Sequence, residues 1–385
     1  MENNHKILFV GGTWDLNGGK PSGLVRKFVA ELSNADVFNG GNYNDLNKII
    51  DSCANYEIVF WWPHIPNDLP KLRNVKEVNY KLMLVAAKNN FNKEYGLFDI
   101  VQKMFALKSN LLVEFTKLGE LFKMTILDPL GNIWYEGTSI VDCAKNIMDR
   151  LNYIIKLTRV STVSSDITKN QLSWFFDTHD DGWVSSQNNV DINLNDEFLK
   201  TIKSYVPKFT EAIFNTTDPT RYVGNASFRC PKGFPSFRDG KYIMVSRRNV
   251  NKKFIEIDDF VPTYVEDGKI YYVGDNKPSV DTPIQLKLYD KFKNINYMIH
   301  AHCYIKDAKF TKKVLPCGAV EESDEIFEFV RDNYDNDFER DFYVVNLLGH
   351  GSLMMSSDID KLKNIEIVSR NFPEKMYWGD WIWKI

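Results

Sequence analysis

Apolar residues follow two rhythms along the first 157 positions. Lys6–Val10, Glu57–Trp62, Tyr80–Ala87 and Lys123–Leu127 are short, nearly continuous apolar runs, the pattern of strands covered on both faces. Between them the spacing lengthens to three and four. Leu24, Val25, Phe28, Val29 and Leu32 form one stripe, with Ser22 placed before it as an N-cap. The stretches Tyr43–Cys53, Leu97–Leu118 and Ile140–Leu157 read as further helices, the last with Val141, Ala144, Ile147, Met148, Leu151 and Ile155 on one face. Strands alternating with helices predict an α/β domain built on a mostly parallel sheet.

Residues 1–160 thus have a Rossmann- or flavodoxin-like shape, and the first strand-to-helix loop is where such folds bind anions, because free backbone N–H groups and the helix dipole point there. The residues do not follow through. Gly18-Gly19-Lys20-Pro21-Ser22 has proline where a P-loop has Ser or Thr, and Gly11-Gly12-Thr13-Trp14 departs from G-x-G-x-x-G. The loop reads as a tight structural turn, and the domain is left without an assigned role. A Ser/Thr-dense stretch then predicts a linker over 161–195. Asp177, His179, Asp180 and Asp181, beside Gly182, read as a solvated turn rather than a metal cluster.

The second half, 196–385, carries the stronger chemistry. Tyr297-Met298-Ile299-His300-Ala301-His302 is an apolar run that closes on two histidines two positions apart. Alternate residues of a strand share a face, roughly 7 Å apart at the base. Both imidazoles can therefore converge on one ion, with bonds of roughly 2.0–2.1 Å. A second buried-strand pattern, Tyr343–Leu348, leads into Gly349-His350-Gly351, where glycines admit close backbone approach. Three imidazoles without a fourth strong protein ligand leave coordination positions open, as catalytic zinc sites do. Upstream, Asp281 reads as the N-cap of a helix Thr282–Phe292, with Pro283 in its first turn. The same helix start can face the strand edge where His300 arrives.

These blocks, taken in order, resemble the class II aldolase/adducin family. Gly224-Asn225-Ala226-Ser227-Phe228-Arg229 is similar to its G-N-x-S-x-R, Ile243-Met244-Val245-Ser246 to its next strand and Asp267-Gly268-Lys269 to its D-G hairpin. Pro278-Ser279-Val280-Asp281, the His300/His302 pair and Leu347-Leu348-Gly349-His350-Gly351 follow in family order. The resemblance implies an α/β/α domain around a mixed, largely antiparallel sheet. It implies that His300, His302 and His350 bind zinc or another divalent transition metal, with Asp281 as base or displaceable ligand. Gly224, Asn225, Ser246 and Ser279 take the phosphate-binding positions by the same comparison. The family's T-P-S-G loop is Ser246-Arg247-Arg248-Asn249 here, which adds Arg247 as an anion contact. The second serine before the acid is Val280, and only 47 residues separate His302 from His350, short for the region that supplies an acid/base. Tyr304, Glu321 and Glu322 are the candidates for that role.

The implied activity is that of a metal-dependent aldolase-type lyase acting on a sugar phosphate, an aldehyde or a related hydroxy-carbonyl compound through a metal-stabilised enediolate. Two alternatives stand beside it. Pro278-Ser279-Val280-Asp281-Thr282-Pro283 is closer to the P-S-S-D-T-P of the ribulose-phosphate 4-epimerase branch, and adducin-type members are interaction proteins, although those lose the histidines kept here. Family members commonly form tetrameric rings, which implies a homo-oligomer, and the aromatic tail Tyr377–Trp383 suits a buried contact.

Composition adds boundaries. A chain of 385 residues suggests two domains. With 48 Lys and Arg against 51 Asp and Glu, the net charge of -3 argues against a nucleic-acid partner on a broad basic face. Five cysteines with no C-x-x-C pair signal neither a disulfide framework nor a thiolate zinc knuckle. The N-terminal Met-Glu-Asn-Asn-His has no leader pattern, and no window approaches a membrane span. A cytoplasmic protein without membrane partners is expected.

Overall fold

The computed structural model describes residues 5–32, 34–165, 193–214, 222–229, 242–370 and 373–376. The chain divides into two compact units, Met1–Lys156 with Asn371–Ile385, and Leu157–Arg370. The acidic turn around Asp177–Asp181 and the aromatic tail Tyr377–Trp383 lie outside the described residues.

The first unit is built on seven strands, β1 Ile7–Asp15, β2 Ala35–Asn42, β3 Ile58–Trp61, β4 Met83–Asn89, β5 Leu111–Leu118, β6 Leu121–Leu127 and β7 Ile133–Gly137. They form one sheet in the order β2-β1-β3-β4-β5-β6-β7. The first five are parallel, in the doubly wound order of flavodoxin-like folds. The last two pair antiparallel. Ser22 caps the helix Gly23–Ala30 by accepting from the Val25 N–H at 3.4 Å. The loop before it closes on its own backbone, with Thr13 and Lys20 exchanging hydrogen bonds of 2.9 and 3.0 Å. Asn39 Oδ1 takes the Ser22 N–H at 2.9 Å. Ser22 and Asn39 thus take up part of the helix entrance.

One predicted helix is two elements. Leu97–Leu107 is helical and ends where Lys108 adopts a left-handed conformation at φ 55, after which Leu111–Leu118 is β5. Val113, Phe115 and Thr116 suit a buried strand better than a helix. The strand β2 has no buried residue and carries no sustained apolar run to announce it.

The second unit holds β8 Thr162–Ser164, β9 Asn225–Arg229, β10 Ile243–Ser246, β11 Phe260–Glu266, β12 Lys269–Tyr272, β13 Tyr297–Ala301, β14 Tyr304–Ile305, β15 Phe342–Leu347, β16 Gly351–Ser356 and β17 Ile367–Val368. Eight of these form a mixed sheet in the order β15-β16-β13-β9-β10-β11-β12-β8, and β14 pairs separately with β17. All pairings in the large sheet are antiparallel except that of β12 with β8. β8 falls inside the stretch expected as linker: Thr162–Ser164 extend along Ile270–Tyr272 and add an edge strand. β11 and β12 join through Asp267 and Gly268, both at positive φ, as a two-residue hairpin turn requires.

Because strand side chains alternate between faces, neighbouring residues feed different cores. Ile299 and Phe228 meet the helix Asn193–Phe214 through Phe198, Ile202 and Tyr205. Met298 and Val345 meet the helices Thr282–Lys291 and Glu321–Asn333 through Leu288, Ile326 and Phe329. The result is an α/β/α layering in which His300, on the Met298 face, sits beside the start of the helix Thr282–Lys291.

Candidate metal centre

His300 lies on β13, His302 directly after it, and His350 in the turn from β15 to β16. That turn is held by the His350 N–H donating to the Leu347 carbonyl at 3.0 Å. A Cβ on Gly351 would run into the Ala301 carbonyl, so glycine there lets the turn press against the strand that carries the other two histidines. The three rings stand 4.7 to 5.1 Å apart by centroid, and one ligating nitrogen from each lies within 4.8 Å of the others.

The nitrogens are prepared for a cation. His300 Nδ1 is 2.9 Å from the Ser352 carbonyl, which can only accept. The proton therefore sits on Nδ1, and the lone pair is on Nε2, which is buried and has no hydrogen-bond partner among the described residues. Burial and then the charge of His350 push the His300 pKa down to about 4. Burial and the same neighbour hold His302 well below the usual histidine range. His350 is the opposite case. Burial opposes its charge, but the Glu322 carboxylate, 2.6 Å from Nδ1, and the Cys317 sulfur, 3.3 Å from Nε2, outweigh it and hold the pKa well above the usual range. Neutral imidazoles are the ligating form, so His300 and His302 are ready for an ion, whereas His350 must release a proton to bind one. A histidine braced at Nδ1 by a carboxylate is the usual support of a metal ligand.

Asp281 stands at the N-cap position but makes no side-chain cap bond. Its carboxylate instead accepts from Asn225 Nδ2 at 2.8 Å and from the Gly318 N–H at 3.0 Å. The N-cap expectation is thus corrected: two longer-range donors outcompete the helix's own amides for a buried carboxylate.

The other predicted residues are distributed unevenly. Gly224, at φ +76, packs so close to the His300 carbonyl that a Cβ there would collide with it. Asn225 links Asp281 to Gln285, whose Nε2 donates to its Oδ1. Ser246 Oγ accepts from the Ala226 N–H at 3.1 Å, and Ser279 Oγ from the Asp281 N–H at 3.3 Å. Arg247 pairs with Asp259 at 2.6 Å. These groups shape the site through bonds among themselves. Tyr304 is buried with its hydroxyl accepting from the Gly349 N–H at 3.1 Å, so it supports the His350 turn. Glu321 accepts from the Thr158 N–H at 2.8 Å. Of the three acid/base candidates, Glu322 is the one bonded to a histidine of the cluster.

Lys252 escaped the sequence reading because Lys252-Lys253 resembles a solvated pair. It is 6% exposed, donates only to the Val250 carbonyl at 3.3 Å, and has no carboxylate partner among the described residues. Burial lowers its pKa to about 8, and its charge acts on both His300 and His302. Cys317 was equally hidden, since its link to His350 spans 33 residues. Local pattern carries no trace of either contact.

Residues 219–368 match the family model for the Class II Aldolase and Adducin N-terminal domain. The C-terminal half carries a class II aldolase/adducin domain. Solved structures similar to the chain include an L-fuculose 1-phosphate aldolase, 17% identical, covering 47% of this chain and 82% of that one with a TM-score of 0.31. The L-fuculose-1-phosphate aldolase from Thermus thermophilus is 14% identical, covering 41% and 81% with a TM-score of 0.25. The DNA/pantothenate metabolism flavoprotein from Streptococcus pneumoniae is 10% identical, covering 39% and 99% with a TM-score of 0.32. No curated protein matches the chain. Within the aldolase/adducin domain the matched residues span all three histidines, and no described helix is long and apolar enough to cross a membrane.

Proposed function

We propose that the aldolase/adducin domain is a metal-dependent aldolase-type lyase that makes or breaks a carbon–carbon bond in a sugar phosphate or related hydroxy-carbonyl substrate. The reading rests on one observation above the rest: three imidazoles converge within 4.8 Å, and the buried Nε2 of His300 has no hydrogen-bond partner among the described residues. His300, His302 and His350 would hold the ion, with zinc the proposed metal. When bound, it supplies Lewis-acid stabilisation of negative charge developing on substrate oxygen.

The chain's own residues carry the remaining roles. Asp281 has two donors on its carboxylate, leaving acceptor capacity for the hydroxyl proton released as the bond breaks. Lys252 offers a buried positive charge whose field reaches His300 and His302, suited to a substrate anion. Arg247 gives its Nε–H to Asp259, which leaves its terminal guanidinium N–H groups for that anion. A homo-oligomer in a reducing cytoplasm completes the proposal; the four free cysteines among the described residues suit the reducing compartment.

The Asp281 signature favours a 4-epimerase as second reading, because epimerisation uses the same bond cleavage without releasing fragments. Incubation of the purified chain with ketose phosphates separates the two. A released aldehyde supports the lyase; epimerised sugar without free aldehyde supports the epimerase. Metal-free protein inert toward every ketose phosphate would point instead to an interaction role of the adducin kind.

A further inference from the structure

The short segment Pro316–Glu322 reaches His350 at both ring nitrogens. Cys317 Sγ is 3.3 Å from Nε2, and Glu322 Oε1 is 2.6 Å from Nδ1. Cys317 sits in a turn closed by the Ala319 N–H on the Pro316 carbonyl at 3.2 Å, with Gly318 at φ +77 in the third position, where glycine is favoured. Asp281 fastens that turn from the opposite side through the Gly318 N–H. The carboxylate expected in the metal site therefore also positions the cysteine, with lone pairs to spare.

The spacing suits shared coordination. Bonds of about 2.0–2.1 Å to nitrogen and about 2.3 Å to sulfur, at a tetrahedral angle, place the two ligand atoms about 3.5 Å apart. The observed 3.3 Å is close to that separation. A second observation is independent of the cysteine: His300, which clusters with His302 and His350, is 4% exposed, and its Nε2 has no hydrogen-bond partner among the described residues. Sulfur is also the softer donor, and with three imidazoles it favours zinc or cobalt over magnesium or calcium.

We propose that Cys317 is a fourth protein ligand of the His300/His302/His350 centre, displaceable by substrate, and that Asp281 positions it by holding Gly318. The inference rests on the metal-dependent reading above. On coordination the thiol proton leaves to solvent and the sulfur contributes a lone pair; no group is oxidised or reduced.

Cobalt(II) titrated into the metal-stripped full chain tests this, using wild type, Cys317→Ser and, as the neighbouring control, Cys303→Ser. Visible d–d bands are expected in all three, with a near-ultraviolet thiolate-to-cobalt charge-transfer band in wild type and Cys303→Ser that Cys317→Ser lacks. Wild type without d–d bands would overturn the metal centre and the ligand together. The d–d bands without charge transfer, or charge transfer surviving in Cys317→Ser, would overturn Cys317 alone. Should Cys317→Ser not fold, alkylation of wild type by iodoacetamide, mapped by mass spectrometry, decides the point. Zinc should slow modification of Cys317 by at least about tenfold, and equal rates with and without zinc would rule out ligation.

Discussion

Each half of this protein packs a tight cluster of rings, and the two clusters differ in what their edges offer. In the N-terminal unit Phe9, Phe60, Trp62, Phe28 and Phe115 stand at centroid separations of 4.8 to 6.3 Å. In the C-terminal unit His300, His302 and His350 stand at 4.7 to 5.1 Å. The spacing is alike and the chemistry is opposite. Phenyl edges interlock and bury apolar area, which stabilises the parallel sheet. Imidazole edges in the same packing present a lone pair at His300 Nε2 that no described residue satisfies. A buried polar atom without a partner disfavours folding. Its presence beside two more histidines marks a place shaped for something other than stability.

The sharpest way to break this comparison is Phe60→Ala. It should destabilise the N-terminal unit by about 3–5 kcal/mol through lost burial and a residual cavity, read by urea denaturation. Metal content should not change, and a loss of bound metal would show that the two clusters are not independent in function.

Lys252→Met comes next. The folded pKa of about 8 lies below the ordinary lysine value of 10.5, so the unfolded chain holds the proton more tightly between those values. Wild-type, metal-stripped protein should therefore gain stability as pH rises from about 8 to about 10.5, by on the order of 3 kcal/mol. Lys252→Met should lack this rise and be the more stable at neutral pH, while KM for an anionic substrate increases. Parallel pH curves for the two proteins would contradict the assignment of a buried, uncompensated ammonium.

Glu322→Gln tests whether His350 is braced as a ligand. Removing the carboxylate charge from Nδ1 should weaken metal binding by about 10–100-fold, measured by competition with a chelating dye. Ser22→Ala is the smallest expected effect, about 1 kcal/mol from the lost cap in the N-terminal unit, with metal affinity unaltered.

Legibility in the sequence followed the range of the interactions. β1, β3 and β4 could be read because each is a continuous apolar run covered on both faces. β2 could not, because its Asn39-Gly40-Gly41-Asn42 edge lacks that signature, and β5 was absorbed into the helix before it until Lys108 broke the register. In the site, His300 and His302 declared themselves by strand alternation and His350 by its glycines. The groups that tune them did not. Glu322 lies 28 residues from His350, Cys317 lies 33 away, and Asn225 is 56 from the Asp281 carboxylate it binds. Those contacts exist only once the sheet has formed. The same holds for Asp281, whose local pattern spelled a helix cap while the fold supplied better donors.

The central claim is that the three histidines form a metal centre. Metal analysis of the purified full chain, beside His300→Ala and His350→Ala, tests it most directly. One equivalent of a divalent transition metal in wild type, lost from both variants after desalting, is the predicted result. Wild type without stoichiometric metal, or either variant retaining a full equivalent, would contradict it.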